Sequence, residues 1–118
     1  MSFLMEQIPI RLNHLSAEKH FGNCEYKWKL ISASPLKIQK LATQMDFRLR
    51  QGDGKAIYIL GVKDNGFDTG MSKEELEETF NTVLKAAKII GANIMRTRTY
   101  LRNVTTIRLL KLNSKNLL

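Results

Sequence analysis

The sequence predicts an α+β fold, a two-layer sandwich in which two helices pack on one face of a mixed, mainly antiparallel sheet. Two hydrophobic patterns carry this prediction: alternating stretches, typical of half-buried strands, and two stretches with apolar residues at helical spacing. With 118 residues, 43% of them hydrophobic, the chain has the size and composition of one domain. The predicted element order is β-α-β-β-α-β-β. Because each helix has one apolar stripe, both are expected to cover the same sheet face and leave the other face to solvent.

The periodic part of the chain sets the predicted domain. Residues 1–23 lack a sustained period and are interpreted as an irregular N-terminal arm that can dock on the domain. A single α/β domain is expected over residues 24–113, followed by a C-terminal tail at residues 114–118. No stretch of the chain has the composition of a linker.

The first strand and first helix are predicted from the stretch that begins at Glu25. Tyr26, Trp28 and Leu30 alternate there with charged residues and are expected to share one face of a half-buried strand. Ser34-Pro35 marks a helix start, because the hydroxyl caps an orphan amide and proline suits the first turn. The apolar stripe of this helix consists of Ile38, Leu41, Ala42, Met45 and Leu49. The polar residues expected to face away are Lys37, Lys40, Gln44 and Arg48.

A buried strand and a hairpin are predicted next. Gly52 and Gly54 end the first helix, and residues 56–62 are rich in β-branched and aromatic side chains. Asn65-Gly66 is the pair preferred in a type I′ turn, so residues 67–70 are expected to return as a short strand.

The second helix and a closing hairpin complete the predicted fold. Ser72 and Glu75 have the spacing of a capping box, and Gly91 is the expected left-handed terminator. The buried face of this helix consists of Leu76, Phe80, Val83, Leu84, Ala87 and Ile90. Two alternating stretches, residues 93–101 and 104–112, are joined at Arg102-Asn103 and predict a hairpin.

The residues that could carry metal or nucleotide chemistry do not form a recognisable motif. His14, His20 and Cys24 match no zinc-site spacing, so surface or capping roles are expected for the histidines and a strand-edge thiol for Cys24. The Gly54-Lys55 pair lacks the earlier glycine and the following Ser or Thr of a phosphate loop, and it leads into a strand. No metal, no cofactor and no nucleotide hydrolysis are therefore predicted.

Membrane insertion and secretion are not expected. The longest apolar stretches are far below the roughly 20 residues that cross a bilayer, so no membrane partner is predicted. The first residues lack the basic leader and long apolar run of a secretory signal. Since the chain has a single cysteine, a reducing compartment is favoured and a cytoplasmic location is the expectation.

The strongest functional signal is cationic charge near the end of the sequence. The net charge is +8, and residues 93–118 contain six basic and no acidic side chains. Strand alternation is expected to place Arg96, Arg98 and Arg102 on one sheet face with Tyr100 among them. On the partner strand, Arg108 and Lys111 extend the basic patch, although their opposite parity prevents both from sharing that face.

These six residues, Arg96, Arg98, Tyr100, Arg102, Arg108 and Lys111, are the candidate RNA-binding site. Arginine makes bidentate contacts to phosphate and an interleaved tyrosine can stack on a base, so a basic sheet face suits RNA. The alternative is a solvated edge whose charges deter aggregation.

Four segments also resemble a known family. In order, they are residues 25–30 (EYKWKL), 40–45 (KLATQM), 54–66 (GKAIYILGVKDNG) and 70–76 (GMSKEEL). Together they resemble the region before the GTPase domain of GTP-binding-protein-one-like translational GTPases, relatives of elongation factor Tu, over about residues 22–102. The resemblance implies a cytoplasmic setting, partners such as the ribosome, tRNA or messenger RNA, and a GTPase domain in the same or another chain. GTPase activity does not carry over, because the sequence has no phosphate loop.

A second resemblance is to the Schlafen-type fold, some members of which cleave RNA with clustered carboxylates. The matching features are Glu25 near the first strand and the Gly-Val-x-Asp-x-Gly pattern that contains Asp64. By position, Glu25, Asp64 and Asp68 could meet at one sheet edge. The favoured alternative is that Asp64 serves the turn and Glu25 is a solvated strand residue. A metal-dependent cut would need a third matching acid.

The sequence therefore predicts a non-catalytic, basic RNA- or ribosome-binding accessory domain associated with a translational GTPase. Two alternatives remain: a Schlafen-like metal-dependent RNA endonuclease, and a protein-interaction module that accepts a partner strand at a sheet edge.

Overall fold

A computed structural model describes residues 6–12, 15–18 and 22–112. Its strands are β1 (Glu6–Gln7), β2 (Cys24–Lys27), β3 (Lys55–Leu60), β4 (Asn93–Thr99) and β5 (Thr105–Leu110). Its helices are α1 (Pro35–Gln51) and α2 (Lys73–Ile90). The predicted tail at residues 114–118 lies outside the described residues, and so do His14 and His20.

The five strands form one sheet in the order β1-β4-β5-β3-β2. Its two central ladders, β4–β5 and β5–β3, are antiparallel, whereas the outer ladders, β1–β4 and β3–β2, are parallel. The helices α1 and α2 pack against each other and against one face of this sheet. The predicted α+β two-layer sandwich is thus confirmed, with β1 as a strand that the sequence pattern did not indicate.

Both helices begin where their caps predict. The Ser34 hydroxyl accepts a hydrogen bond from the Lys37 amide at 3.2 Å, with Pro35 in the first turn. At the start of α2, Ser72 and Glu75 form the full capping box, and Gly91 ends the helix at a φ of 72°. No helix among the described residues is long and apolar enough to cross a bilayer.

The main core lies between the helices and the sheet. Met45 and Phe80, from the two helices, are fully buried there together with Tyr58 from β3. The predicted α1 stripe is confirmed, since Leu41, Ala42, Met45 and Leu49 are buried and Ile38 packs against them. This apolar burial fixes which face of each strand points toward the helices.

Part of the opposite sheet face is covered by the arm, which corrects the expectation of a fully open face. Tyr26, Ile59, Val62 and Val104 form a second buried cluster, against which Leu12 and Leu15 of the arm pack. Gly66 allows this approach, because it has a φ of +88° and a Cβ there would lie 2.6 Å from the Leu15 carbonyl oxygen. The uncovered part of this face belongs to β4 and β5.

The predicted strand at residues 67–70 is wrong. A single isolated bridge joins Val62 to Asp68, and no ladder follows it. The turn is not type I′ either, because only Gly66 has a positive φ, while the Asn65 side chain accepts from the Phe67 amide at 3.0 Å. That side-chain contact offers the backbone a local alternative to strand pairing.

Candidate nucleic-acid interface

A bulge in β4 decides which way its arginines point. Ile94 pairs with Leu109 and packs against the main core, whereas Arg96 pairs with Arg108. Met95 is therefore an extra residue in the ladder and is 61% exposed. Since a bulge shifts strand parity by one, Arg96 and Arg98 lie on the face opposite the helices.

Arg96, Arg98 and Arg108, here called the arginine cluster, share this face. Arg96 and Arg108 are directly opposite each other in the β4–β5 ladder, and Arg98 lies two residues along β4. Like charges in directly opposed positions repel, so the sheet by itself does not favour this arrangement. Within the described residues, Arg108 is exposed and forms no ion pair.

One carboxylate from the arm contacts two members of the arginine cluster. Glu6 in β1 accepts hydrogen bonds from Arg96 Nε at 2.8 Å and from Arg98 Nε at 3.2 Å. These contacts, chiefly the hydrogen bond from Arg96, lower the pKa of the Glu6 carboxyl. The Arg96 and Glu6 side chains remain 50% and 46% exposed, so the pair stays in contact with water.

Three other predicted site residues lie elsewhere. Tyr100 is half-buried against the second cluster and is not a fully open platform for stacking. Arg102 is not on the strand face: it lies in the β4–β5 turn at a φ of 65°, and its guanidinium donates to the Thr69 carbonyl oxygen at 3.0 Å. Lys111 is on the helix side, where its Nζ lies 2.9 Å from Asp46 Oδ1 of α1. The predicted single face with Arg96, Arg98 and Arg102 is therefore wrong for Arg102.

A buried ion pair between β2 and α1 was not anticipated. Arg48 Nε lies 2.7 Å from Glu25 Oε1, and the two side chains are only 5% and 3% exposed. Arg48 also donates to the Gly22 carbonyl oxygen at 3.0 Å, while Lys27 Nζ lies 3.6 Å from Glu25. The expectation that Arg48 and Glu25 face solvent is wrong, because each provides the other with a charged partner inside the fold.

Of the carboxylates considered for catalysis, Glu25 and Asp68 each have a different arginine as partner. Asp68 accepts both hydrogen bonds of the Arg11 guanidinium, at 2.7 and 2.8 Å, which lowers its pKa. Glu18 of the arm accepts from the Tyr26 amide at the edge of β2. Burial, together with the nearby charges of Glu25 and Asp64, raises the pKa of Glu18 to about 7. Across residues 6–12, 15–18 and 22–112, no three His, Cys, Asp or Glu side chains are placed to hold a metal ion.

Cys24 and the arm show what the sequence pattern could and could not reveal. Cys24 is the first residue of β2 and is half-buried, as expected of a strand-edge thiol, and burial raises its pKa. Glu6 was missed, because a two-residue strand has no periodicity to detect. The only local feature that could have pointed to Glu6 is that it is a carboxylate in the arm of a basic chain.

The fold and this exposed basic face define a small α+β domain with a concentrated cationic surface. Over 81 residues, or 69% of this chain, the sequence is 41% identical to GTP-binding protein 2 of mouse and of human. It is 36% identical over 78 residues to an uncharacterised protein of Acanthamoeba polyphaga mimivirus, covering 65% of this chain and 42% of that protein. GTP-binding protein 1 of Xenopus laevis is 29% identical over 72 residues, 61% of this chain and 11% of that protein.

The sequence is therefore similar to a region of GTP-binding proteins 2 and 1. It spans only 14% of the length of the GTP-binding protein 2 relatives. No family model matches the sequence, and no solved structure does.

Proposed function

We propose that this domain is a non-catalytic accessory domain that binds RNA, alone or in a ribonucleoprotein such as the ribosome, beside a GTP-binding domain. The observation that carries the proposal is the arginine cluster. Three arginines share one open face, two of them directly opposed, and one carboxylate accompanies them. A polyanion relieves the repulsion among these charges, because each guanidinium can bind a phosphate through paired hydrogen bonds.

The shape of the surface supports RNA over a small anion. The arginine cluster is spread along the β4–β5 ladder and is not enclosed in a pocket. An open group of three cations can contact neighbouring phosphates of a nucleic-acid backbone, where each neutralised phosphate adds a salt-dependent increment to affinity. The association with a GTP-binding domain rests on the similarity to GTP-binding proteins 2 and 1, and that domain can lie in the same or another chain.

The test is RNA binding by fluorescence anisotropy over a series of salt concentrations. The double variant Arg96→Ala/Arg98→Ala is compared with Lys85→Ala/Lys88→Ala, which removes the same charge from the exposed side of α2. We expect the first variant to bind RNA about tenfold more weakly or worse, because phosphate contacts are lost. Each lost contact should also reduce the slope of log affinity against log salt concentration by roughly 0.7 for single strands. The control should retain nearly wild-type affinity.

Two results would overturn the proposal. Absence of wild-type binding at low salt removes it altogether. Equal losses in both double variants show that only net charge matters and that the arginine cluster is not the site.

A metal-dependent RNA endonuclease is the second candidate, because Glu18 lies close enough to Glu25 and Asp64 for their charges to raise its pKa. Glu18 adds a third carboxyl to this region, but the three described side chains are not placed to hold a metal ion together. Against this reading, the Glu25 carboxylate is buried and bound by Arg48. Incubation of structured RNA with Mg²⁺ or Mn²⁺ decides the matter: cleavage that is lost in both Glu25→Gln and Asp64→Asn would establish the nuclease.

A further inference from the structure

The single tryptophan of the chain lies at the surface, immediately after β2. Trp28 is 44% exposed, whereas Tyr26 two residues earlier is only 6% exposed. The alternation that predicted a shared buried face ends because β2 stops at Lys27. A half-exposed indole at a strand end can offer an aromatic face to a ligand, so its surroundings indicate what it could bind.

Two ammonium groups contact the Trp28 ring. Lys29 Nζ lies 4.7 Å and Lys63 Nζ 4.8 Å from the ring centroid, both within the range of a cation–π contact. Lys29 is also paired with Glu75, at 2.7 Å. For Lys63, by contrast, the described residues supply no carboxylate partner. The exposed indole thus has one uncompensated cation beside it.

Arg102 lies on the other side of the same groove. An open groove of about 400 Å³ runs from Trp28 and Lys29 past residues 69–72 to Arg102. The Arg102 backbone is fixed, because its carbonyl oxygen accepts from the Met71 amide at 2.9 Å and its side chain donates to Thr69. Its left-handed φ of 65° is unfavourable for a residue with a Cβ, and such conformations concentrate at functional sites.

The groove lies where an α/β sheet commonly receives ligands. Trp28 follows the carboxyl end of β2 and Lys63 follows that of β3, and these strands are parallel neighbours. Crevices at such strand ends are common binding positions. Arg102 belongs to the turn that leaves β4, so the groove lies at the end of the sheet where β2, β3 and β4 all finish.

We propose that this groove binds one unpaired nucleotide of single-stranded RNA, with its base stacked on Trp28 and its flanking phosphates on Lys63 and Arg102. Stacking requires an unpaired base, and aromatic platforms beside cations are the usual means of binding single strands. Lys63 is exposed and Lys29 is half-buried, so a base can displace the Lys63 ammonium, which then remains beside the backbone phosphates. The inference rests on the proposed RNA binding and specifies which form of RNA is bound.

The charged groups of the groove, such as Glu75 and Arg102, and those beside it, Lys63 and Asp68, are compatible with a phosphate. Glu75 is held by Lys29 and by the Ser72 amide, the latter at 2.9 Å. Asp68, whose pKa is lowered in part by the charge of Arg102, is paired with Arg11. Lys63 and Arg102 are the cations left for a ligand.

Because Trp28 is the only tryptophan, its fluorescence reports on this groove directly. We would titrate the whole chain with a short single-stranded RNA, an abasic oligomer of equal charge and an RNA duplex. We expect strong quenching by the single strand and little by the other two. Equal quenching by the abasic oligomer would overturn base stacking, and a stronger response to duplex would overturn the preference for unpaired bases.

Variants separate this groove from the arginine cluster. Trp28→Leu and Arg102→Asn should each weaken binding of the short single strand at least fivefold by anisotropy, with asparagine chosen because it tolerates the left-handed conformation. The matched control is Phe47→Leu, which alters an exposed aromatic ring on α1 and should bind normally.

If the wild type binds RNA but Trp28→Leu and Arg102→Asn bind equally well, the groove inference fails and the proposed function stands. If quenching persists in Arg96→Ala/Arg98→Ala while longer RNA is lost, the two sites are distinct and both are supported.

Discussion

Two arginine–glutamate contacts of nearly equal length lie in opposite surroundings. The Arg48–Glu25 distance is 2.7 Å and the Arg96–Glu6 distance is 2.8 Å. In the first pair the side chains are 5% and 3% exposed, and in the second 50% and 46%. Both pairs join residues distant in sequence, so neither follows from local spacing.

The difference in burial gives the two pairs different functions. Removing one member of a buried pair leaves an uncompensated charge inside the protein, so Arg48 and Glu25 hold α1 against β2. An exposed pair is screened by salt and contributes little to stability. Glu6 can therefore exchange with another anion at Arg96 and Arg98, whereas Glu25 cannot leave Arg48 without unfolding part of the core.

The largest expected effect is the loss of the buried pair. Arg48→Ala should lower the free energy of unfolding by about 3–5 kcal/mol, because Glu25 then remains buried without its main partner. Arg50→Ala is the matched control, since Arg50 is two residues away on α1 and its side chain is 72% exposed. Urea denaturation measures both variants. Similar stabilities would mean that Glu25 is solvated or neutral and that the contrast with Arg96 is wrong.

A pH-dependent effect of intermediate size is expected from Glu18, which adjoins the buried pair. Its pKa is raised from 4.5 to about 7, so the folded state favours the protonated carboxyl. That contribution to stability is fully present below about pH 4.5 and is lost as the pH rises through about 7. Glu18→Gln should remove this part of the pH dependence in parallel urea denaturations.

The Glu18 titration itself can be followed by NMR. A carboxyl titration near pH 4.5 would contradict the assignment, as would an unchanged pH profile of stability in Glu18→Gln. The comparison with wild type cancels the other groups that titrate over the same range.

The smallest effect on stability is expected at the exposed pair. Glu6→Gln should leave the unfolding midpoint nearly unchanged, because the contact is with solvent-exposed arginines. RNA affinity should rise several-fold at low salt, since the anion that competes with phosphate is removed. Glu77→Gln on α2 removes the same charge from an exposed position and is the control. An equal gain in both variants would attribute the effect to net charge alone.

Both helices and the β4–β5 hairpin were predicted correctly from local signals. The caps at Ser34 and Ser72, the terminator Gly91 and the β4–β5 hairpin all depend on residues within a few positions of one another. Local hydrogen bonds and backbone preferences are encoded in such short stretches, so the sequence pattern is sufficient to detect them.

The errors at Arg48 and Trp28 share one physical origin, a contact between residues distant in the chain. Arg48 has the helical position of a solvated residue, and only the approach of Glu25 makes its burial favourable. Trp28 has the parity of a core residue, yet β2 ends before it because the Gly61 amide donates to the carbonyl oxygens of Lys27 and Trp28. Neither outcome has a signal in the neighbouring residues.

The sequence by itself determined the α+β class, both helices with their ends, and a cationic stretch near its end, because these follow from composition and short-range pattern. Only the tertiary structure decided where the charges act. The ladder between β4 and β5 places the extra residue at Met95, which turns Arg96 and Arg98 away from the helices, and β1 brings Glu6 to them across 90 positions of the chain. Strand register and long-range pairing depend on the free energy of the whole fold, and no local pattern specifies them.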